Sequence, residues 1–248
     1  MLKISIITIT YNSAQTVEQT IQSVLNQSYK NVEYIVVDGK STDETLSIIE
    51  KYKNKISNVI SEKDNGLYDA LNKGIALATG DVIGILHSDD FFIDNNVLQH
   101  YANLFTTTNA DAVYSDLYYV DKTNTNNITR KWKSGNYKPN SFLFGWMPPH
   151  PTFFVKRELY KKYGNFNLQL TTAADYELML RFIHKQKINL AYLPRYSIKM
   201  RVGGKSNITI KSRLNANIED RKAWDINKLT PYFFTLFLKP LRKVLQFL

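Results

Sequence analysis

The sequence contains no cysteine among its 248 residues. This absence excludes disulfide bonds and thiolate metal sites, and it fits a protein of the reducing cytoplasm. The sequence also lacks any uncharged apolar run near the roughly twenty residues that a membrane-spanning helix needs. Residues 1–10 are too short and too interrupted by Ser and Thr for a signal peptide, so we expect no targeting segment.

Acidic residues are scarce relative to basic ones, with 22 Asp and Glu against 32 Lys and Arg, a net charge of +10. Most of the excess lies from Arg130 onward. Nucleic acid, an anionic membrane surface and phosphorylated substrates would all be attracted by such a charge, although solubility alone also explains it. A hydrophobic content of 44% is enough to bury one sizeable core.

What the first 120 residues do contain is a repeated pattern of a β-branched run, a turn and a helical stretch. It predicts strands over 4–10, 32–37, 56–61 and 81–86 and helices over 14–26, 41–53 and 67–78. The second helix is assigned a capping box, with Ser41 at its N-cap and Glu44 three residues later. This alternation indicates an α/β fold with a mostly parallel, doubly wound sheet, whose ligand crevice lies beyond the carboxyl ends of the strands.

The second half is less regular. Here the patterns predict a hairpin of 112–120 with 129–132, a long loop over 134–151, a strand at 190–193, a loop at 201–206, and helices over 157–163, 176–185 and up to about 227.

Two adjacent acids, Asp89 and Asp90, follow the fourth predicted strand. Taken alone, such a pair is more often a turn or a helix N-cap. Adjacent carboxylates repel each other unless a positive charge lies nearby, and a hard cation such as Mg²⁺ or Mn²⁺ satisfies both. His87, two residues earlier, is more often simply hydrogen-bonded than a metal ligand.

Two further acids allow two interpretations each. Asp38 ends the second strand, where it could bind a sugar hydroxyl or a base N–H, or could support the following turn. Asp175 precedes a predicted helix, where it could be an N-cap or a general base. Spacing alone does not separate these alternatives.

Several short segments, in order, carry a resemblance to a known family. They are 5–12 (SIITITYN), 37–43 (VDGKSTD), 62–74 (EKDNGLYDALNKG), 78–81 (ATGD), 87–90 (HSDD), 149–153 (PHPTF), 163–166 (YGNF) and 174–177 (ADYE). On these segments the chain resembles the family 2 glycosyltransferases of GT-A-type fold, in particular bacterial members that build O-antigen and other surface polysaccharides. The resemblance covers residues 3 to about 206.

The resemblance implies a metal-dependent enzyme that transfers a sugar from a nucleotide-diphosphate donor, with uracil the commonest base. It implies that residues 1–230 form one catalytic domain, with a nucleotide-sugar half over 1–120 and an acceptor half over 121–230. The implied site residues are Thr8, Tyr11 and Asp38 for the base and ribose, Asp64, Gly66 and Lys73 bordering the donor, Asp89 and Asp90 for Mn²⁺ or Mg²⁺ with one of them meeting the ribose, Asp175 as catalytic base, and Trp146 and His150 near the acceptor.

Two positions depart from the family pattern. His87 stands where many relatives have another acid, which leaves the metal-ligating carboxylate undecided between Asp89 and Asp90. Ala174 stands where many relatives have Glu, which weakens the assignment of Asp175 as base. A single in-line displacement, with Asp175 taking the acceptor proton, would invert the anomeric carbon.

Residues 231–248 combine aromatic, aliphatic and cationic side chains. They predict either a terminal helix packed on the domain or an interfacial segment on an anionic leaflet, and we favour the second. Such a segment would suit an acceptor saccharide on a polyprenyl diphosphate, with the enzyme peripheral on the inner face of the cell membrane.

Two other functions compete with this interpretation. A sugar nucleotidyltransferase would need a Gly-rich, cationic loop after the first strand, but residues 10–13 are Thr-Tyr-Asn-Ser. A basic carbohydrate- or nucleic-acid-binding module fits the charge, but paired acids at a strand end have no use in a nucleic-acid site. We therefore expect no nucleic-acid partner.

Overall fold

Four parallel strands form the first half of one mixed sheet in the computed structural model, which describes residues 1–203, 210–244 and 246. They stand in the order β3, β2, β1, β4 and span β1 (Ile4–Thr10), β2 (Val32–Asp38), β3 (Asn58–Ser61) and β4 (Val82–Ile85). Every residue of β1 is buried. Both faces of this strand are covered, which is why its sequence is a continuous rather than an alternating apolar run.

The second half of the sheet is largely antiparallel. It continues from β4 through β8 (Phe154–Lys156), β6 (Ala112–Val120), β9 (Leu190–Arg201) and β5 (Asp90–Phe92), with β7 (Ile128–Trp132) paired to β6. β6 runs parallel to β9 and antiparallel to β7 and β8. The predicted hairpin and the predicted α/β class are confirmed, whereas β5 and β8, three residues each, are too short to show a period. The strand predicted at 190–193 extends to Arg201, because β5 and β6 pair with it on its two sides.

Helices pack on both faces of the sheet. They are α1 (Val17–Leu25), α2 (Thr45–Glu50), α3 (Leu67–Leu77), α4 (Val97–Thr108), α5 (Arg157–Tyr163), α6 (Ala174–Met179), α7 (Ile210–Ile226) and α8 (Thr235–Val244). A π-helical turn, Leu180–Lys185, continues α6. The sequence patterns missed α4. Part of the loop predicted over 201–206 lies outside the described residues.

The predicted capping box is wrong. The Ser41 hydroxyl donates to Asp38 and accepts from the Asn12 N–H rather than from a helix N–H, and α2 begins only at Thr45. Asp43 accepts hydrogen bonds from the backbone N–H and the hydroxyl of Thr45. Ser41 was assigned to the helix because its spacing to Glu44 fits, but the buried Asp38 carboxylate competes for the same hydroxyl.

Side chains alternate across the sheet and fill a core on each face. Ile7 and Ile9 of β1 belong to one core with α3 and α6, whereas Ile4 and Ile6 belong to the other with α1 and α4. This alternation follows from the two-residue period of a strand. The core that contains Ile7 also contains Trp224 of α7, so the C-terminal helices share the interior that supports the site described below. Within the described ranges, no helix is both long and apolar enough to cross a bilayer.

Candidate active site

The loops after β1 and β2 are joined by hydrogen bonds at the carboxyl edge of the sheet. The backbone N–H of Asn12 donates to the Ser41 hydroxyl at 2.9 Å, and the N–H of Thr42 donates to the Asn12 side-chain oxygen at 2.8 Å. Asn12 and Lys40 both have positive φ, 50° and 63°, a conformation that asparagine tolerates better than most residues. The two loops therefore form one fixed wall of the crevice.

Three of the predicted donor-site residues lie together on this wall. One Asp64 carboxyl oxygen accepts the Gly66 N–H at 3.0 Å. A Cβ on Gly39 would collide with the other Asp64 oxygen and come within 3.4 Å of the Tyr11 ring. Gly39 thus lets Tyr11 and Asp64 approach each other. Tyr11 is 51% exposed, so its ring is accessible for stacking on a flat ligand.

Gly66 is the N-cap residue of α3 and has a φ of 113°. A side chain would strain this backbone, so glycine is required for the turn that places Asp64. Lys73 lies further along α3. Its Nζ is 2.8 Å from a carboxyl oxygen of Glu62 and 3.5 Å from one of Asp69, and it donates to the Lys63 carbonyl. In this structure Lys73 holds the 62–66 loop against α3.

Two other predicted donor residues are fully buried. The Thr8 hydroxyl accepts a hydrogen bond from the equally buried Tyr34. Asp38 accepts hydrogen bonds from the N–H and hydroxyl of Ser41 and from the Ser61 hydroxyl at 2.6 Å. These contacts are those of a core residue and of a turn-supporting acid, so neither position favours the predicted contact with the base or ribose, which stays a prediction.

Asp89 and Asp90 occupy different environments although they are adjacent. Asp90 is 1% exposed, and among the described residues neither of its carboxyl oxygens has a hydrogen-bond partner. Burial and the neighbouring charge of Asp89 raise the pKa of Asp90 well above its usual range, against the opposing effect of Arg201. Asp89 is only partly buried. The structure therefore presents Asp89 to the crevice and keeps Asp90 inside.

Arg201 is a cation beside this acid pair that the sequence analysis does not assign. It lies at the end of β9 and donates to the Asp89 carbonyl oxygen and to Gln19. Its guanidinium carbon is 5.0 Å from the centre of the Phe91 ring. Arg201 is distant in sequence, and only the pairing of β9 with β5 brings it to the acids.

Asp175 is held by two side chains from separate parts of the chain. The Tyr68 hydroxyl donates to one carboxyl oxygen at 3.2 Å, and the His150 Nδ1 lies 3.3 Å from the other. Tyr68 is itself fixed by stacking on Phe166, with 5.5 Å between ring centres. Asp175 stands at the second residue of α6 and makes no cap hydrogen bond there. Its contacts are those of an oriented carboxylate rather than of an N-cap.

A pair of histidines, one of which contacts Asp175, lies beside the candidate base. The His87 and His150 rings meet edge to face with 5.7 Å between their centres. Burial lowers the pKa of His87 to about 4, helped by His150 and opposed by Asp89 and Asp175. Burial also lowers the pKa of His150, more than Asp175 and Asp89 raise it. Both acids act on both histidines, so Asp89 and Asp175 lie near the same histidine pair.

Trp146, predicted to lie near the acceptor, is buried in the core. It is 7% exposed, donates from Nε1 to the Ser134 carbonyl at 3.0 Å, and packs against Tyr114, Tyr137 and Phe142. These are the contacts of a core tryptophan. Its predicted place near the acceptor stays a prediction, whereas His150 does contact the candidate base.

The segment that carries Asp175 is anchored by α7. The Glu219 carboxylate accepts hydrogen bonds from the backbone N–H groups of residues 171–173 and from the hydroxyls of Thr171 and Thr172. Trp224 donates to the Tyr176 hydroxyl at 3.0 Å, and Asn227 donates to Glu177 at 2.9 Å. No local pattern in the sequence indicated these contacts, because about fifty residues separate the partners.

Known proteins match most of this chain. Residues 5–165 match the family described as Glycosyl transferase family 2. An uncharacterised glycosyltransferase of Mycobacterium tuberculosis is 32% identical over 180 residues, which is 72% of this chain and 68% of the relative. A PGL/p-HBAD biosynthesis glycosyltransferase of the same species is 30% identical over 193 residues, 76% of this chain and 73% of the relative.

Two solved structures share the fold. Staphylococcus aureus TarS 1–349, in complex with UDP-GlcNAc, superposes with a TM-score of 0.69 at 19% identity, over 91% of this chain and 65% of TarS. The mannosyltransferase PcManGT of Pyrobaculum calidifontis, in complex with GDP-Man and Mn²⁺, gives a TM-score of 0.69 at 20% identity, over 96% and 68%. The chain thus spans about two thirds of each of these structures, and the GT-A-type fold expected from the sequence is confirmed. On the family match over most of its length, this chain belongs to glycosyl transferase family 2.

Proposed function

We propose that this glycosyltransferase transfers a sugar, with inversion, from a UDP-sugar to a hydroxyl of a lipid-linked saccharide in surface-polysaccharide or O-antigen synthesis. The observation that carries the proposal is the placement of Asp175. Its carboxylate is held by Tyr68 and His150, and the charges of Asp175 and Asp89 both act on His87 and His150. An oriented base and a second acid close by are what transfer from a nucleotide-diphosphate donor requires.

For the donor we propose the wall formed by Tyr11, Gly39 and Asp64. The exposed Tyr11 ring can stack on a base, and the Asp64 carboxylate beside it can accept hydrogen bonds from the N–H groups of that base. Two structural neighbours support a nucleotide-sugar donor, since TarS was crystallised with UDP-GlcNAc and PcManGT with GDP-Man. The choice of uracil follows the family resemblance of the sequence.

The acid pair fits a divalent cation. The described residues contain no group of three His, Cys, Asp or Glu side chains able to hold a metal by themselves. Mg²⁺ and Mn²⁺ need no such group, because they are commonly held by one or two carboxylates together with substrate phosphates. We propose Asp89 as the ligand, with the buried Asp90 behind it. When bound, the cation would stabilise the charge that develops on the leaving diphosphate.

The remaining chemistry is assigned to the chain's own residues. Asp175 accepts the proton of the acceptor hydroxyl as its oxygen forms a bond to the anomeric carbon. The bond from that carbon to the donor phosphate breaks on the opposite side, and the nucleoside diphosphate leaves with the electron pair. Tyr68 and His150 keep the carboxylate in place. Proton transfer to the Asp175 carboxylate as general base would contribute about a hundredfold to ten-thousandfold.

A lipid-linked acceptor is supported by the C-terminal segment. Residues 231–244 and 246 are the described part of the predicted membrane tail, and within them α8 packs on the domain while exposing apolar side chains. We propose that the enzyme works at the inner face of the membrane, where a polyprenyl-diphosphate saccharide would be presented.

The test combines donor binding with turnover. UDP, GDP, CDP and TDP, each with and without Mn²⁺, are compared by thermal shift, since ligand binding to the folded state raises the melting temperature. We expect UDP with Mn²⁺ to stabilise the wild type, and Asp89→Ala to lose the metal-dependent part of that shift. Asp175→Asn should keep the full shift and lose transfer by at least about a hundredfold.

Two results would contradict the proposal. An absence of any nucleotide shift under all metal conditions would remove the donor assignment. Loss of the UDP shift in Asp175→Asn would show that Asp175 acts in donor binding rather than as the base. Glu158→Gln, which removes an exposed carboxylate of α5, serves as the matched control and should change neither readout.

A further inference from the structure

The outer face of α8 and the turn before it carries a stripe of exposed apolar side chains. Phe233, Phe237 and Leu241 are 87%, 71% and 60% exposed. Their spacing of four residues puts them on one side of a helix. Large apolar side chains in such a contiguous row are uncommon on a free surface and mark a site of interaction.

The opposite face of α8 is fixed to the domain, so the stripe does not belong to a helix that could turn inward. The Thr235 hydroxyl donates to the Leu143 carbonyl at 2.7 Å, and Lys239 pairs with Asp220 of α7 at 2.6 Å. Gly145 lies so close to the backbone of Lys239 that a Cβ on Gly145 would collide with that backbone. These contacts hold Phe237 and Leu241 outward.

A basic cavity lies beside the stripe, between β7 and α8. It has a volume of about 150 Å³ and includes Lys131, Lys133, Lys239 and Arg242 in its lining, together with Trp132. Lys239 is paired with Asp220, whereas the other three cations are exposed. The residues that line the cavity include no acid within the described part of the chain. A phosphate group would meet cations on two sides there.

We propose that the stripe and the basic cavity form one lipid-docking surface. Phe233, Phe237 and Leu241 enter the boundary between headgroups and acyl chains, and the phosphate of an anionic phospholipid occupies the cavity. Aromatic and aliphatic side chains beside Lys and Arg are the combination that binds such an interface. Arg242 follows Leu241 directly, so the charge lies at the edge of the apolar row, where the headgroups would be.

The docking surface is in direct contact with the candidate base segment. The Lys239 Nζ lies 3.7 Å from the centre of the Tyr176 ring, and Tyr176 follows Asp175. The inference rests on the proposed function in this respect: docking would bring a membrane-borne acceptor to the side of the molecule that carries the base. Docking itself requires neither donor nor transfer, and the two can fail separately.

The experiment is co-sedimentation of the full chain with phosphatidylcholine vesicles and with vesicles containing phosphatidylglycerol. The wild type should bind the anionic vesicles, and high salt should weaken that binding. Phe237→Ser/Leu241→Ser should lose binding by at least about tenfold. Lys131→Gln/Lys133→Gln/Arg242→Gln should lose about a hundredfold, since each cation near an anionic leaflet contributes about a fivefold factor.

Matched controls change the same residue types elsewhere on the surface. Leu168→Ser/Ile218→Ser removes two exposed aliphatic side chains, and Lys51→Gln/Lys55→Gln/Lys122→Gln removes three exposed cations. Both should bind vesicles as the wild type does. Equal losses in control and test variants would overturn the proposal, and so would equal binding to neutral and anionic vesicles.

Two further readouts distinguish lipid docking from binding of a soluble anion and from binding of the proposed donor. Thermal shift with inorganic diphosphate tests whether the basic cavity serves a soluble anion: stabilisation of the wild type without vesicle binding would overturn lipid docking. The UDP shift should be unchanged in all docking-surface variants. A normal UDP shift with no vesicle binding in the wild type would refute docking alone, whereas vesicle binding without any UDP shift would refute the proposed donor.

Discussion

Tyr68 is the residue whose role is seen only in the folded chain. It is the second residue of α3, in the segment 62–74 that carries the predicted donor residues, yet its hydroxyl donates to Asp175, 107 residues away. Burial, and next the charge of Asp175, raise the pKa of Tyr68 well above its usual range. The phenol is therefore protonated at any pH where the protein works, and it acts as a hydrogen-bond donor to the candidate base.

Replacing Tyr68 with Phe tests this role. The ring and its stacking on Phe166 stay, while one hydrogen bond to a carboxylate is lost, an interaction worth about 1.5–3 kcal/mol. We expect kcat to fall by about tenfold or more, with the UDP shift retained. Steady-state kinetics of transfer give the measurement.

Tyr29→Phe is the control for that variant. Tyr29 is also buried, and its hydroxyl donates to the Leu2 carbonyl at the opposite edge of the sheet. If Tyr29→Phe lowers kcat as much as Tyr68→Phe, the effect is one of general stability and the positioning role is wrong.

At the scale of the element, α6 is a short helix whose start is capped from outside. The N-cap residue Ala173 offers no side-chain acceptor, and Glu219 of α7 satisfies the N–H groups of residues 171–173 instead. Burial acts to raise the pKa of Glu219, but the hydrogen bonds from Thr171 and Thr172 together lower it to about 2. The ionised form of Glu219 is thus the form that the fold stabilises.

Glu219→Gln should therefore destabilise the protein by about 1–2 kcal/mol at neutral pH, the usual cost of losing a cap. A carboxyl whose folded pKa is lowered contributes stability in full above its unfolded pKa, near 4.5, and loses it as the pH falls toward the folded value. The difference in the free energy of unfolding between wild type and variant should shrink below pH 4.5.

Urea unfolding at a series of pH values checks this. Glu158→Gln, at an exposed site, should show no such difference. A difference between wild type and Glu219→Gln that stays constant down to pH 3 would mean that Glu219 acts through shape rather than charge.

On the whole-molecule scale, the C-terminal helices tie together the part of the fold that carries Asp175. They lie beyond the segment 5–165 that matches the family, yet Trp224 is part of the core that also contains the residues next to Asp175. Lys239 joins three elements, since it pairs with Asp220 of α7 from its place on α8 and lies over the Tyr176 ring of α6. Removing residues 231–248 would therefore disturb the base segment as well as any membrane contact.

The variant Lys239→Met tests how much the contacts of Lys239 with α6 and α7 contribute to stability. The Lys239–Asp220 pair is mostly buried, with side-chain exposures of 15% and 6%, and breaking one partner of a buried pair costs roughly 3–5 kcal/mol. We expect the variant to unfold at clearly lower denaturant concentration and to lose activity even on a soluble acceptor.

Lys53→Met provides the comparison, because the Lys53–Glu50 pair is exposed on both sides. Lys53→Met should lower the free energy of unfolding by only about 0–1 kcal/mol. Equal stability of the two variants would show that Lys239 does not connect the helices energetically.

The sequence by itself determined the elements whose signals are local. β1, β2 and the hairpin of β6 with β7 follow from runs of β-branched residues and a polar turn, and the parallel half of the sheet follows from their alternation with helices. The ordered segments from 5–12 to 174–177 were enough to indicate the family, and the edge where Tyr11, Asp64 and Asp89 lie was predicted from strand ends.

Only the tertiary structure decided what each acid does. Asp38 and Asp89 both follow strands, but Ser41 and Ser61 bind the first while the second faces the crevice. The partners of Asp175, namely Tyr68 and His150, come from distant positions, and so does Glu219, which fixes its helix. Hydrogen bonding and burial depend on which segments meet in space, and that information is carried by packing of the whole chain rather than by the spacing of neighbouring residues.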